Sequence, residues 1–191
     1  MNTSYVFLAD GFEEIEALSV VDIMRRAEMK VVTVSITDRK LVCGAHGVPV
    51  ETDTTFAHVD FSAAEWLILP GGMPGATNLA AKTELCDLLK AQNSKGGNIA
   101  AICASPAVVL APLGILDGKT ATCYPGFEQA LNKAKLSEKP VAIDDNIITA
   151  NGPAAATGFG LAIVAMSKGE DVSRTVAEGM LLYSTPQPFF F

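Results

Sequence analysis

The sequence predicts an α/β fold in which a mainly parallel sheet carries helices on both faces. Three observations support this. The chain has 191 residues, the size of one domain. Hydrophobic residues make up 49% and charged residues 18%, which is enough apolar material for a large core and too much for a disordered chain. Short β-favouring runs alternate with segments of helical period from residue 4 to about residue 122, the order expected of parallel strands joined by crossover helices. No internal repeat, low-complexity segment or linker interrupts the pattern, so residues 1–191 read as a single domain.

The elements follow in order. "SYVFLAD" (4–10) is a first strand. "GFEEIEALSVVDIMRRAEMK" (11–30) is a helix. Ile15, Leu18, Val21, Ile23 and Met24 recur at helical spacing, with acids early and Arg25–Arg26 late, as the helix dipole favours. "VVTVSIT" (31–37) is a second strand, and "KLVCGAHGVPVETDTT" (40–55) reads as a hairpin around Gly and Pro. "EWLILP" (65–70) is a buried strand ending in a "PGG" turn. "TELCDLLKAQNSKGG" (83–97) is a helix with a Gly stop. "NIAAIC" (98–103) is a strand, and "SPAVVLAPLGIL" (105–116) is a helix or helical turn. "KTATCYPG" (119–126) is a short strand and turn, and "FEQALNKA" is a helix. "PVAIDDNIITANG" (140–152) is a β-hairpin turning at Asp145–Asn146. Two helices, 154–169 and 170–182, and a tail "STPQPFFF" complete the chain.

Charge and composition exclude several functions. A formal net charge of −7 with no basic run opposes binding to nucleic acid or to an anionic membrane surface. The start "MNTSYVFLADG" has no basic n-region, and no apolar segment approaches the roughly 18 residues of a membrane span. A cytoplasmic location is expected. Cys43, Cys86, Cys103 and Cys123 form no C-x-x-C pair, and neither His46 nor His58 lies at ligand spacing from them, so no metal is expected. In a reducing compartment each thiol is a small buried hydrophobe or a reactive group.

In open parallel sheets, ligands bind beyond the carboxyl ends of the strands. Three segments lie there: "ADGFEEIE", "LPGGMPGA" and "AICASP". Cys103 sits where a strand turns directly into a helix-compatible segment, the arrangement of a nucleophile elbow. The free N–H groups and positive end of a following helix would favour its thiolate. Structural filler is the competing reading. Gly71 and Gly72 allow close backbone approach, and their N–H groups with that of Ala104 would make an oxyanion hole. Glu13, Glu14 and Glu16 share one first helical turn. The helix dipole accounts for two of them, and a third would be a candidate acid or base, with the choice open on spacing alone. Neither G-x-x-x-x-G-K nor G-x-G-x-x-G occurs, so no phosphate loop is present.

Together, "ADGFEEIEA…VVDIMRRA", "LPGGMPGA" and "AAICASPAVVL" resemble the ThiJ/PfpI superfamily, specifically its DJ-1 branch. The likeness runs on through "KTATCYPGFE", "ITANGP" and "FGLAIVAMSKGEDVSRTVAEGM" and covers nearly the whole chain. The resemblance implies a flavodoxin-like three-layer sandwich akin to the class I glutamine amidotransferases, and a homodimer, with the first helix and the 40–50 hairpin as contact surfaces. It implies that Cys103 is the elbow cysteine, that Glu16 is the carboxyl bonded to it, and that Gly71 and Gly72 are backbone donors near the sulfur. Glu13, Met73, His46, Tyr124 and Pro153 are expected around the pocket. The implied activity is a cofactor-independent glyoxalase or deglycase acting on small α-oxoaldehydes. The alternative is a redox-sensing protective protein whose Cys is oxidised to a sulfinate. Three departures bear on mechanism. Ala104 stands where the peptidase branch has His, which opposes proteolysis. Tyr124 stands before Pro125 where a well-known member of the DJ-1 branch has His, and "GPAAATG" replaces the usual "GPGT" beside Pro153.

Overall fold

The computed structural model describes residues 2–182. Its centre is a seven-stranded sheet. In chain order the strands are β1 (Thr3–Leu8), β2 (Val31–Ser35), β5 (Thr54–Thr55), β6 (Ala64–Leu69), β7 (Asn98–Ile102), β10 (Val141–Asp144) and β11 (Ile147–Ala150). The spatial order is β10-β11-β7-β6-β1-β2-β5, and every pairing is parallel except the β10–β11 hairpin. Two small ribbons stand outside this sheet: β3 (Leu41–Cys43) with β4 (Pro49–Glu51), antiparallel, and β8 (Thr120–Ala121) with β9 (Lys135–Leu136), parallel. The helices are α1 (Glu14–Arg26), α2 (Gly75–Ala81), α3 (Thr83–Ser94), α4 (Ala156–Lys168) and α5 (Glu170–Gly179). None of the described helices is long and apolar enough to cross a membrane.

The strand sequences explain the layering. Successive side chains of a strand point to opposite faces. Val6, Leu8, Trp66, Ile68, Ala100, Ile102, Ile148 and Ala150 therefore join one core, packed against α1 and α4. Tyr5, Phe7, Leu67, Leu69, Ile99, Ala101 and Ile147 join the other, against Leu79 of α2 and Leu85 and Leu89 of α3. Runs that are apolar throughout suit strands buried on both faces. The first core is tied by Trp66, whose indole N–H donates to Ser167 Oγ at 2.7 Å, and by the close approach of α1 to α4. A Cβ on Gly160 would lie 3.0 Å from Ile23 Cδ1, so glycine sets that helix–helix distance.

The structure departs from the sequence reading in local elements. "LPGGMPGA" is not only a turn: it opens α2, whose Pro74 and Gly75 disguise a helix start. The 105–116 segment is a single π-type turn, Pro106–Leu110, followed by turns. Pro112 and Gly114 account for its failure to continue as a helix. "FEQALNKA" forms only a short 3-10 turn, Glu128–Leu131. The tail "STPQPFFF" lies outside the described residues.

Strand β1 sits mid-sheet, with β2 on one side and β6 on the other. The connections leaving β1 and β6 thus diverge, and a crevice opens between their carboxyl ends. The N-terminus of α1 and the Gly71–Gly72 segment meet there.

Candidate active site

Cys103 follows the last residue of β7 and has φ +65°, a left-handed conformation that is strained for a non-glycine residue. Two backbone bonds hold it so. Its N–H donates to Ala150 O at 2.8 Å, and its carbonyl accepts from Tyr124 N at 2.8 Å. The side chain is 8% exposed. The elbow geometry is thus present, but the segment after it is one π turn and not a long helix.

Glu16 approaches from α1 and is fully buried. Its position is set by the helix start: Glu13 is the N-cap, and Glu13 Oε2 accepts from Glu16 N at 2.8 Å. Gly71 then ties the two loops together. Its N–H donates to Glu16 Oε2 at 2.8 Å, and its carbonyl accepts from Glu13 N at 3.0 Å. A Cβ on Gly71 would stand 2.6 Å from Cys103 Cβ, 2.8 Å from Glu16 Oε2 and 3.0 Å from Cys103 Sγ. Gly72 has φ +88°, and a Cβ there would lie 2.4 Å from Glu13 N. Both glycines are needed for three segments to meet this closely.

The donors divide differently from the sequence expectation. The Gly71 N–H is committed to Glu16, so it is not an oxyanion donor. The N–H groups of Gly72 and Ala104 are the ones that face the thiol. Ser105, which sequence reasoning passed over, braces the elbow by donating from Oγ to Pro70 O at 2.5 Å.

Electrostatics follow from burial. Desolvation raises the Glu16 carboxyl to about 7, against the lowering effect of its bonds to Gly71 and Cys103. Burial first, and then the Glu16 charge, push the Cys103 thiol up to about 12, while the Gly72 and Ala104 N–H groups pull the other way. The expectation of a thiol depressed by a helix end is therefore not met. Desolvation outweighs two N–H dipoles, and a single turn beginning at Pro106 has little dipole to offer. Protonating Glu16 removes one cause of the thiol's elevation, so the titrations of the two groups are coupled. Glu16 Oε1 is buried and makes no hydrogen bond within the protein.

The remaining predicted residues are dispersed. His46 does not serve the thiol: its N–H donates to Glu14 Oε1 and its Nδ1 lies on Glu14 Oε2, both at 2.7 Å. Glu13 is occupied as the helix cap. Tyr124 is anchored by its backbone to Cys103, and its ring lies against Gly152, next to Pro153, and edge-on to Phe127. Met73 and Tyr124 are both exposed, at 50% and 44%. Cys123 belongs to the opposite core from Cys103, and the sheet separates the two thiols.

Residues 3–166 match the DJ-1/PfpI family. The chain belongs to the DJ-1/PfpI family. It is 36% identical over 182 residues to Protein dj-1beta of Drosophila melanogaster, covering 94% of this chain and 97% of that one. It is 31% identical over 172 residues to the glutathione-independent glyoxalase DJR-1.2 of Caenorhabditis elegans, covering 89% and 90%. The structure of oxidized Toxoplasma gondii DJ-1 superposes with a TM-score of 0.90 at 35% identity, covering 97% of this chain and all of that one. The fold is that of the DJ-1/PfpI family, flavodoxin-like α/β, with a mostly parallel sheet between helical layers.

Proposed function

We propose that this DJ-1/PfpI protein is a cofactor-independent glyoxalase that converts small α-oxoaldehydes to 2-hydroxy acids. The observation that carries the reading is the buried Glu16 carboxyl, raised to about 7 beside Cys103 Sγ. A base with that value exists in both protonation states at neutral pH, where general acid–base catalysis works best. The Caenorhabditis elegans relative, a glutathione-independent glyoxalase, supports the same class.

The chemistry proceeds as follows. Glu16 carboxylate accepts the Sγ proton as sulfur adds to the aldehyde carbon. The N–H groups of Gly72 and Ala104 stabilise the oxyanion, which then takes the proton back from Glu16 to give a hemithioacetal. Glu16 removes the hydrogen from that carbon and returns a proton to the neighbouring one, through an enediol. The product is a thioester of the 2-hydroxy acid. Water hydrolyses it and releases acid and thiol, so the net change is addition of one water with no external oxidant. Lactate should form from methylglyoxal in the absence of glutathione, and Cys103→Ala should abolish it. Undiminished lactate formation in that variant would remove the assignment.

A second reading rests on the N–H groups of Gly72 and Ala104 that face Sγ. They would bind sulfinate oxygens as well as an oxyanion, making Cys103 a sensor of peroxide. Mass spectrometry after mild peroxide should then find two added oxygens on Cys103 before Cys86. Simultaneous oxidation of both would count against a sensor.

A further inference from the structure

Two buried carboxylates lie side by side at the start of α1, outside the proposed chemistry. Glu13 and Glu14 are 7% and 9% exposed. Among the described residues, only His46 forms an ion pair with either of them. The turn between β3 and β4 is built around Glu14. Gly44 lies so close that a Cβ would fall 2.3 Å from Glu14 Oε1, and the His46 N–H donates to that same oxygen. Glu13 is fixed by its bond from Glu16 N. One ligand atom from each of Glu13, Glu14 and His46 lies within 4.8 Å of the others.

We propose that Glu13, Glu14 and His46 form a binding site for a divalent first-row transition-metal ion of the zinc class. The donor set is one imidazole nitrogen with two carboxylate oxygens. That combination suits zinc or cobalt, and the nitrogen disfavours calcium and magnesium. Folding has already dehydrated and oriented both carboxylates, so little further ordering is needed on binding. The imidazole supplies the movable ligand. Its side chain is 72% exposed and can exchange the Nδ1 contact with Glu14 for a metal bond at about 2.0–2.1 Å. Three protein ligands leave a coordination position open to water. The site would clamp the β3–β4 turn onto α1, and it shares Glu13 with the cap that positions Glu16, although its own evidence does not rest on the proposed glyoxalase activity.

The test is calorimetric titration of zinc chloride into the full chain, with no chelating buffer. One ion per chain is expected. His46→Ala, Glu14→Gln and Glu13→Gln should each weaken binding at least about tenfold. The Glu13→Gln amide oxygen still accepts from Glu16 N, which separates loss of a ligand from loss of the helix cap. His46 is exposed, so its removal leaves the fold intact. Cys103→Ser should bind zinc as the parent does. Absence of binding, unchanged affinity in His46→Ala, or loss of binding in Cys103→Ser would overturn the proposal, the last by placing the ion on the thiol.

Discussion

Glu16→Gln is expected to abolish lactate formation and, above neutral pH, to make the protein more stable. Both effects come from one carboxyl. An amide cannot accept the Sγ proton or shuttle it between substrate carbons, yet its oxygen can keep the 2.8 Å bond from Gly71 N. The stability effect follows from linkage. Folding raises the Glu16 carboxyl from 4.5 to about 7. Between those values the folded protein holds a proton that the unfolded chain has released, so stability falls as pH rises through the window. Above pH 7 the charged, buried carboxylate costs the fold about 3 kcal/mol, and below pH 4.5 it costs nothing. Urea unfolding at pH 8 and pH 4 should therefore show a gain for Glu16→Gln at the first pH and none at the second. Equal midpoints for parent and variant at pH 8 would contradict the assigned burial cost. In the parent, kcat/KM should rise with pH through a limb near 7 as Glu16 loses its proton.

Gly71→Ala carries the second large effect. Its backbone has no left-handed φ to forbid a side chain, so the damage is purely one of space. The added methyl would have to occupy volume already held by Cys103 Cβ and Glu16 Oε2. Relief requires the elbow and the helix to separate, and overpacking of this kind costs about 1–3 kcal/mol. Displacing reacting groups by about 1 Å lowers turnover on the order of 100-fold. The variant should melt at a lower temperature and retain at most a trace of activity. Parent-like kcat/KM with an unchanged melting curve would show that the three segments do not meet as closely as described.

The parts of the fold written in local pattern were legible from sequence. β1, β6 and β7 are apolar runs that only a doubly covered strand accommodates, and α1 announces itself by period and charge. Helix α2 was not legible, because Pro74 and Gly75 look like continued turn. The segment after Cys103 misled in the opposite direction, since apolar residues suggested a helix that Pro112 and Gly114 stop. Within the site, residue types were easier to read than bond directions. That Gly71 faces Glu16 while Gly72 faces the thiol depends on how the loop sits on α1, which neighbouring residues do not encode. The fate of His46 was hidden for a related reason. Its partner Glu14 lies 32 positions away and only a folded turn brings them together.

The placement of β1 in mid-sheet has a consequence for when the site is assembled. Glu16 meets Gly71 across 55 positions of chain, and Cys103 arrives later still in sequence. Gly71 and Cys103 flank the β6–β7 crossover, but no hairpin or single crossover unit contains both Glu16 and Cys103. Closing such long loops is entropically slow, and nothing offsets the closure until the strands pair. The meeting of Glu16 with Cys103 is therefore a product of completed assembly and not of any fragment. An unfinished chain carries an ordinary cysteine and an ordinary glutamate, and the shifts of both groups appear only once the three segments have met.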